Sequence, residues 1–300
     1  MHIEDISKEI NISIPYLIKM ADNHDKLYNT YYIPKKNGSR RIIDCPNKEL
    51  KGLQRWINYS ILNKADLPNC IHGFRPGHSI KTNASPHLGK KFVYCLDLKD
   101  FFPSILNTDV KRMFDRYTFN DEDTSTLLAK LCTFKGYLPQ GAVTSPSISN
   151  IIFSPIDREI LELCQANRVV YTRYADDLTF SSNSKEMLLT VVKNVERIID
   201  KSPFTINREK SRLMSGQGAT IVTGIRLNSE RLSIGNKRKK ILRAKLFDLF
   251  INDNTKLESS ILGEIAFLRS IEPQTYKSIR KYVRKLQEKK KSFQKNEMKD

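Results

Sequence analysis

Apolar positions along this chain follow two different periods, and the switches between them mark its elements. Near the N-terminus Ile6, Ile10, Ile14, Leu17 and Ile18 recur at roughly helical spacing, so residues 1 to about 28 are expected to be helical. Ser13 and Pro15 suit the N-cap and first turn of a second helix there. Residues 31–46 read as a β-hairpin turning at Lys36-Asn37-Gly38-Ser39. Residues 48–63 return to helical spacing and should bury Leu50, Leu53, Trp56, Ile57 and Leu62. Phe92-Val93-Tyr94-Cys95-Leu96-Asp97-Leu98 reads as a buried strand ending in an aspartate. Helices are predicted over 124–133 and 146–167, the second opened by its proline. Val169 to Arg173 and Leu178 to Ser181 alternate on either side of Tyr174-Ala175-Asp176-Asp177, which places two aspartates at a hairpin tip. Residues 185–201 form an amphipathic helix with Leu188, Val191, Val192, Val195 and Ile198 on one face. Residues 221–227 read as a strand, and three helices follow from Asn236, the last over 275 to about 291.

Charge adds a partner to this outline. The chain has 300 residues, 39% of them hydrophobic, enough for one large domain or two to three subdomains. Its net charge of +18 implies a polyanion. A membrane surface is the competing partner, but no apolar run approaches spanning length, and Met1-His2-Ile3-Glu4-Asp5 lacks the basic and apolar regions of a signal peptide. Five cysteines without Cys-x-x-Cys spacing fit a reducing cytoplasm and offer no zinc site. The excess is uneven: residues 231–300 hold 19 Lys/Arg against 8 Asp/Glu, more than half of it. A basic helical region of this kind reads as a clamp on phosphates.

Two adjacent carboxylates in a tight turn repel unless a cation offsets them, and hard oxygen ligands suit Mg²⁺. Asp97, closing an apolar strand, has the same need, because a buried lone charge is very costly. If that strand lies beside the hairpin, Asp97, Asp176 and Asp177 form one acidic cluster. Two Mg²⁺ ions about 3.5–4 Å apart, held by such a cluster, are the machinery of nucleotidyl transfer.

The Asp97 segment with Phe101-Phe102, the Tyr-Ala-Asp-Asp hairpin, and Leu138-Pro139-Gln140-Gly141-Ala142-Val143-Thr144-Ser145-Pro146 between them resemble reverse transcriptases, in the order that family has them. Arg41-Ile42-Ile43 with Pro46, and His72-Gly73-Phe74-Arg75-Pro76-Gly77-His78-Ser79, are further matches. Asn83-Ala84-Ser85-Pro86-His87 and Val222-Thr223-Gly224 resemble signatures of bacterial retron reverse transcriptases. The resemblance runs from about Tyr31 onward and leaves the first thirty residues outside or loosely matched. It implies an α+β right-hand polymerase with fingers over 31–90 and part of 115–140, while residues 1–30, outside it, read from their helical spacing as an N-terminal helical appendage. An antiparallel-sheet palm would span 91–230 and a basic helical thumb 231–300.

The resemblance also implies roles. Asp97 and Asp176 would be the principal ligands of two Mg²⁺ ions, Mn²⁺ being a possible substitute, with Asp177 beside them and the Leu98 carbonyl completing one shell. Phe102, five residues after Asp97, would exclude ribonucleotides; Phe101 is either its neighbour at the dNTP or a core residue. Gln140 and Gly141 would approach the nucleotide or template, with Arg40 or Arg41, depending on register, and Lys36 on the triphosphate. Lys210 would act as general acid toward pyrophosphate.

Asn83 and His87 are expected at the RNA, although a buried hydrogen bond is the other role open to His87. Val222, Thr223 and Gly224 would grip RNA or primer, with Lys237, Arg238, Lys239, Lys240, Arg243, Lys281, Arg284 and Lys285 on the backbone. The implied reaction is RNA-templated DNA synthesis from dNTPs on a cognate structured non-coding RNA. That RNA would supply both the template and a priming guanosine 2′-hydroxyl. The DNA product would be short, single-stranded and joined 2′,5′ to the RNA, with a role in antiphage defence beside a separate effector protein. An intron-type or non-templated enzyme, and an RNA-binding scaffold with a vestigial site, are the alternatives.

Overall fold

The structure is a computed structural model that describes residues 1–34, 38, 40–215, 220–228 and 230–297, the side chains of 293–297 excepted. Helices α1 (Ile3–Ile10) and α2 (Ile14–Asp22) open the chain, followed by a hairpin of β1 (Tyr28–Pro34) and β2 (Arg40–Pro46). Of the proposed hairpin turn, Lys36, Asn37 and Ser39 lie outside the described residues; Gly38 has φ +82°, a conformation that glycine adopts freely. Asn47 then caps α3 (Lys48–Ser60), its side chain accepting from the Leu50 N–H. The short α4 (Ile80–Ala84), β3 (Phe92–Lys99), α5 (Asn107–Asp115), α6 (Glu122–Cys132) and α7 (Ser145–Ala166) follow. Next come β4 (Val170–Tyr174), β5 (Asp177–Ser182), α8 (Lys185–Asp200) and β6 (Thr205–Ser215). Three short strands, β7 (Thr220–Val222), β8 (Ile225–Leu227) and β9 (Leu232–Ser233), lead to α9 (Asn236–Ile251), α10 (Glu258–Ile271) and α11 (Pro273–Glu297).

The central sheet has the order β4-β5-β3-β6, antiparallel throughout. Strand periodicity divides its two faces. Leu96, Leu98, Leu178 and Phe180 are buried in the same core as Val191, Val192 and Val195 of α8. The alternate positions Cys95, Asp97, Asp177 and Thr179 line a cleft on the other side. The sheet thus separates an apolar core from a polar cleft.

Beneath that sheet one core runs from Ile6 and Leu17 through Leu50 and Ile57 to Phe180 and Phe204. The first two helices therefore pack into this same core through Ile6, Leu17, Met20 and Ala21. A second core joins Leu242, Leu246, Leu268 and Ile279 to Val222, Ile225 and Leu227. The 222–227 stretch thus packs with the three C-terminal helices, in a core that also takes in Ala84 of α4 and Val93 of β3.

Other expectations need correction. Ile18 is 45% exposed, because the buried stripe of α2 runs through Leu17, Met20 and Ala21. The stretch 221–227 is not one strand: Thr223 and Gly224 have φ values of +44° and +80° and reverse the chain between β7 and β8. Helices α4 and α5 and strand β6 had no counterpart in the sequence reading. Among the described residues no helix is long and apolar enough to cross a membrane.

Candidate active site

The β3–β5 register sets Asp97 directly opposite Asp177. Asp176 lies in the turn between β4 and β5, and its carbonyl accepts the Leu98 N–H at 3.0 Å, which ties that turn to β3. Like charges directly opposed on a sheet destabilise it. Burial, then Asp176 and Asp97, push the Asp177 carboxyl up to about 6. Asp176 is also raised, chiefly by burial and by Asp97, with Lys210 and Arg41 opposing. The structure therefore brings the three predicted aspartates together at a site that calls for positive charge.

Lys210 supplies part of that charge from an irregularity in β6. Cys95 pairs with Arg212 but Asp97 with Asn207, so β6 bulges between these pairs. The bulge is pinned by Ser211, whose hydroxyl donates to the Asn207 carbonyl at 2.9 Å. It carries Lys210 Nζ to 2.9 Å from Asp97 Oδ1, and Nζ donates to Oδ2 at 3.4 Å. That hydrogen bond, ahead of the Coulomb attraction, raises the lysine's pKa.

A divalent cation suits these donors. Asp97 Oδ1 is sealed from solvent and lacks a hydrogen bond of good geometry. No group of three protein ligands is preassembled around one point among the described residues. Mg²⁺ commonly takes one or two carboxylates and fills the remaining positions with water and substrate phosphate, so the donor set fits.

The turn is supported from below by residues that the sequence reading missed. Arg173 is fully buried, and its guanidinium grips Asp157 through Nε and Nη2 at 2.7–3.1 Å. Nη1 donates to Asn150 Oδ1 at 3.1 Å and to the Ala175 carbonyl at 3.0 Å. Asn150 in turn donates to the Gly73 carbonyl at 2.8 Å, and Tyr171 donates its hydroxyl to Asp157 at 2.7 Å. Gly73 presses on the turn so closely that a Cβ there would lie 2.5 Å from the Ala175 nitrogen. The signal was present as Arg173 and Asp157 at otherwise apolar positions, since buried charges must pair.

The expected nucleotide contacts divide. Arg41, not Arg40, is the arginine whose charge reaches Asp176. Phe102 is part-exposed, 6.2 Å from the Phe74 ring, whereas Phe101 is buried between Phe153 and Phe204 and cannot face a nucleotide. The Gln140 carbonyl accepts the Asp44 N–H at 2.9 Å, and a Cβ on Gly141 would fall 2.6 Å from the Asp44 carbonyl oxygen. The close approach Gly141 permits is thus to β2. Lys36 lies outside the described residues.

The expected RNA contacts divide likewise. Asn83, His87 and Val222 are buried and present no side chain to RNA. Thr223 and Gly224 border a cleft of about 320 Å³ shared with Asp97, Asp177, Lys210 and Arg212. In the thumb, Lys239 is drawn to Glu272 at 2.6 Å, while Arg238 and Arg243 lie over the rings of Phe267 and Tyr282. Lys237, Lys240, Lys281, Arg284 and Lys285 are exposed.

An antiparallel sheet backed by helices, with two turn aspartates beside a third on the neighbouring strand, defines the palm of a right-hand polymerase. The chain belongs to the reverse transcriptase (RNA-dependent DNA polymerase) family, whose profile matches residues 33–263, and it is an RNA-directed DNA polymerase. Within that family it is of the retron type. It is 33% identical over 290 residues to Retron Ec86 reverse transcriptase of Escherichia coli, covering 96% of this chain and 90% of the relative. It is 32% identical over 294 residues to Retron Mx65 reverse transcriptase of Myxococcus xanthus, covering 90% and 68%. The first of these alignments extends the likeness into the N-terminal helices. In fold it is similar to telomerase from Candida albicans in complex with a TWJ fragment of telomeric RNA, with TM-score 0.50 and 11% identity, over 88% of this chain and 60% of that one.

Proposed function

We propose that this reverse transcriptase copies part of a cognate structured non-coding RNA into a short single-stranded DNA. The primer is a guanosine 2′-hydroxyl of the same RNA, leaving a 2′,5′ link. The observation that carries this reading is the opposition of buried Asp97 and half-buried Asp177 in a chain whose curated relatives are retron enzymes. Asp97, Asp176, Asp177 and the Leu98 carbonyl would hold two Mg²⁺ ions, with Mn²⁺ as a substitute. When bound, such ions lower the pKa of the attacking hydroxyl and neutralise the departing pyrophosphate.

The chain's own residues do the rest. Arg41 binds the triphosphate through guanidinium–phosphate hydrogen bonds. Phe102 packs under the deoxyribose and excludes a 2′-hydroxyl. Lys210, poised over Asp97 by the β6 bulge, is set to give a proton to pyrophosphate, a role worth about 10²–10⁴-fold. Exposed thumb cations, Lys281, Arg284 and Lys285 among them, follow the RNA backbone. The setting is cytoplasmic antiphage defence, with a separate effector protein as partner.

The test is to purify the protein from its native host and sequence the copurifying nucleic acid, with and without RNase and debranching treatment. One discrete DNA joined to one RNA by a debranchable bond is expected. Heterogeneous RNA without linked DNA would reject the retron product.

A further inference from the structure

The Asn83-to-His87 segment resembles a signature of retron reverse transcriptases, yet its two defining side chains are buried. Their contacts show what they hold. Thr172 donates its hydroxyl to the Asn83 carbonyl at 3.2 Å, so it must accept from His87 Nε2 at 2.8 Å. The ring is held neutral by burial, which pushes its pKa down to about 3. Nδ1 is therefore an acceptor, and Ser181 donates to it at 2.7 Å. The relay runs from Ser181 on β5 through His87 and Thr172 on β4 to the Asn83 carbonyl at the end of α4, while the buried Asn83 Oδ1 has no partner.

The other side of α4 meets the thumb. Asn83 Nδ2 donates to Thr223 Oγ1 at 3.4 Å, and Thr223 Oγ1 donates to the Ile80 carbonyl at 3.5 Å. Ala84 is buried in the thumb core with Val222 and Ile225, and Lys81 Nζ donates to the Ser270 carbonyl at 2.9 Å. Thr223 is β-branched and sits at φ +44°, an outlier that persists only where its surroundings impose it. Here the two-residue β7–β8 hairpin requires that conformation, and Asn83 and Ile80 hold the Thr223 hydroxyl within it. The Gly224 next to it has open space in front of it, and both residues face Asp97 and Asp177 across the cleft.

We propose that Asn83 and His87 are positioning residues that hold the Thr223–Gly224 turn in register with the catalytic carboxylates, and so fix where the primer terminus sits, without touching RNA. This rests on the reading that the cleft between turn and carboxylates receives that terminus. The two signature motifs of the sequence are then one mechanical unit, with α4 as the strut between the β4–β5 hairpin and the thumb.

The test uses the full chain extending a 3′-hydroxyl primer on RNA, which does not depend on 2′ priming. Thr223→Val, Asn83→Leu and the double variant are compared for kcat, primer–template KM, dNTP KM, RNA Kd and thermal midpoint. Each single change should lower kcat about tenfold, as small misplacements of reacting groups do, with dNTP KM and RNA Kd held within about twofold. The double variant should be no worse than the weaker single one, because both remove the same contact. His87→Gln, able to donate and accept, should recover most of the kcat lost in His87→Leu. Should His87→Leu fail to fold, Thr223→Val at the half-buried turn decides alone. Weakened RNA binding at unchanged kcat would overturn the proposal in favour of direct contact. Additive losses, or a lower midpoint at unchanged kcat, would overturn it in favour of packing alone.

Discussion

Palm and thumb handle charge in opposite ways. In the palm, Arg173 is fully buried, with bonds to a carboxylate, an amide and a backbone carbonyl, and the acidic cluster it supports is shielded enough to raise Asp177 to about 6. In the thumb, Lys281, Arg284 and Lys285 stand exposed along α11. Buried charge has one geometry and fails abruptly when a partner is lost. Exposed charge acts as a field, screened by salt and divisible among many residues. Chemistry needs the first kind, and holding a long polyanion of varied sequence needs the second.

The sharpest way to break the comparison is to remove the palm's charge. Asp176→Asn with Asp177→Asn should lower DNA synthesis by about 10³-fold or more, at or beyond the upper end for one electrostatic group. RNA affinity in a filter-binding assay should stay within about twofold, since the thumb's field is untouched. Synthesis that survives would remove the aspartates from the chemistry.

Next in size is the buried support. Arg173→Met strands Asp157 in a dry site, and breaking such a pair costs about 3–5 kcal/mol. Chemical denaturation should show that loss. Arg173→Met combined with Asp157→Leu should recover a large part of the stability but not the synthesis, because the Ala175 carbonyl still lacks its donor. Full recovery of both would mean that the guanidinium does not hold the turn.

These two regions also differed in how readable they were. The aspartate hairpin was legible because apolar alternation on both sides of Asp176-Asp177 admits few other folds. The thumb was legible because composition alone reveals a diffuse basic field. What lay between was not. Asp157 and Arg173 are joined across a helix and a strand, so the sequence displays two misplaced charges and no indication that they meet. Strand β6 is an edge strand whose Asn207-Arg208-Glu209-Lys210 run has no alternation, and its bulge depends on pairing with β3. His87 stayed open between an RNA contact and a buried hydrogen bond, because its partners, Thr172 and Ser181, come from two strands about ninety residues further along.

A smaller effect is expected at the nucleotide floor. Phe102→Ala should admit ribonucleotides, read as a fall of about tenfold or more in the dNTP-to-rNTP ratio of kcat/KM, since the lost steric exclusion is worth a kcal/mol or two. Phe101→Ala should instead lower the thermal midpoint at unchanged selectivity, because that ring fills the core beside Phe153 and Phe204. Equal behaviour of the two variants would remove the distinction drawn from burial. In the thumb, Lys281→Gln, Arg284→Gln and Lys285→Gln together should flatten the slope of log affinity against log salt by up to about 0.7 per lost phosphate contact. The kcat at saturating RNA should not change; an unchanged slope would place the RNA elsewhere.

The smallest expected effect tests the palm without its reaction. An unfolded aspartate titrates near about 3.9, whereas burial and its two neighbours bring folded Asp177 up to about 6. Between those values the native state binds more protons than the unfolded one, so stability falls as pH rises through that window. Above about pH 6 the penalty is present in full, and below about pH 4 it vanishes because both states are protonated. Asp177→Asn removes the titrating group, so in metal-free buffer it should melt higher than the parent at pH 7.5 and equally at pH 4. Added Mg²⁺ should narrow the gap at pH 7.5, because only the parent has the Asp177 carboxylate whose repulsion the cation offsets. An asparagine variant whose advantage does not grow with pH would mean that the cluster is relaxed by solvent, and that the palm holds its charge no more tightly than the thumb does.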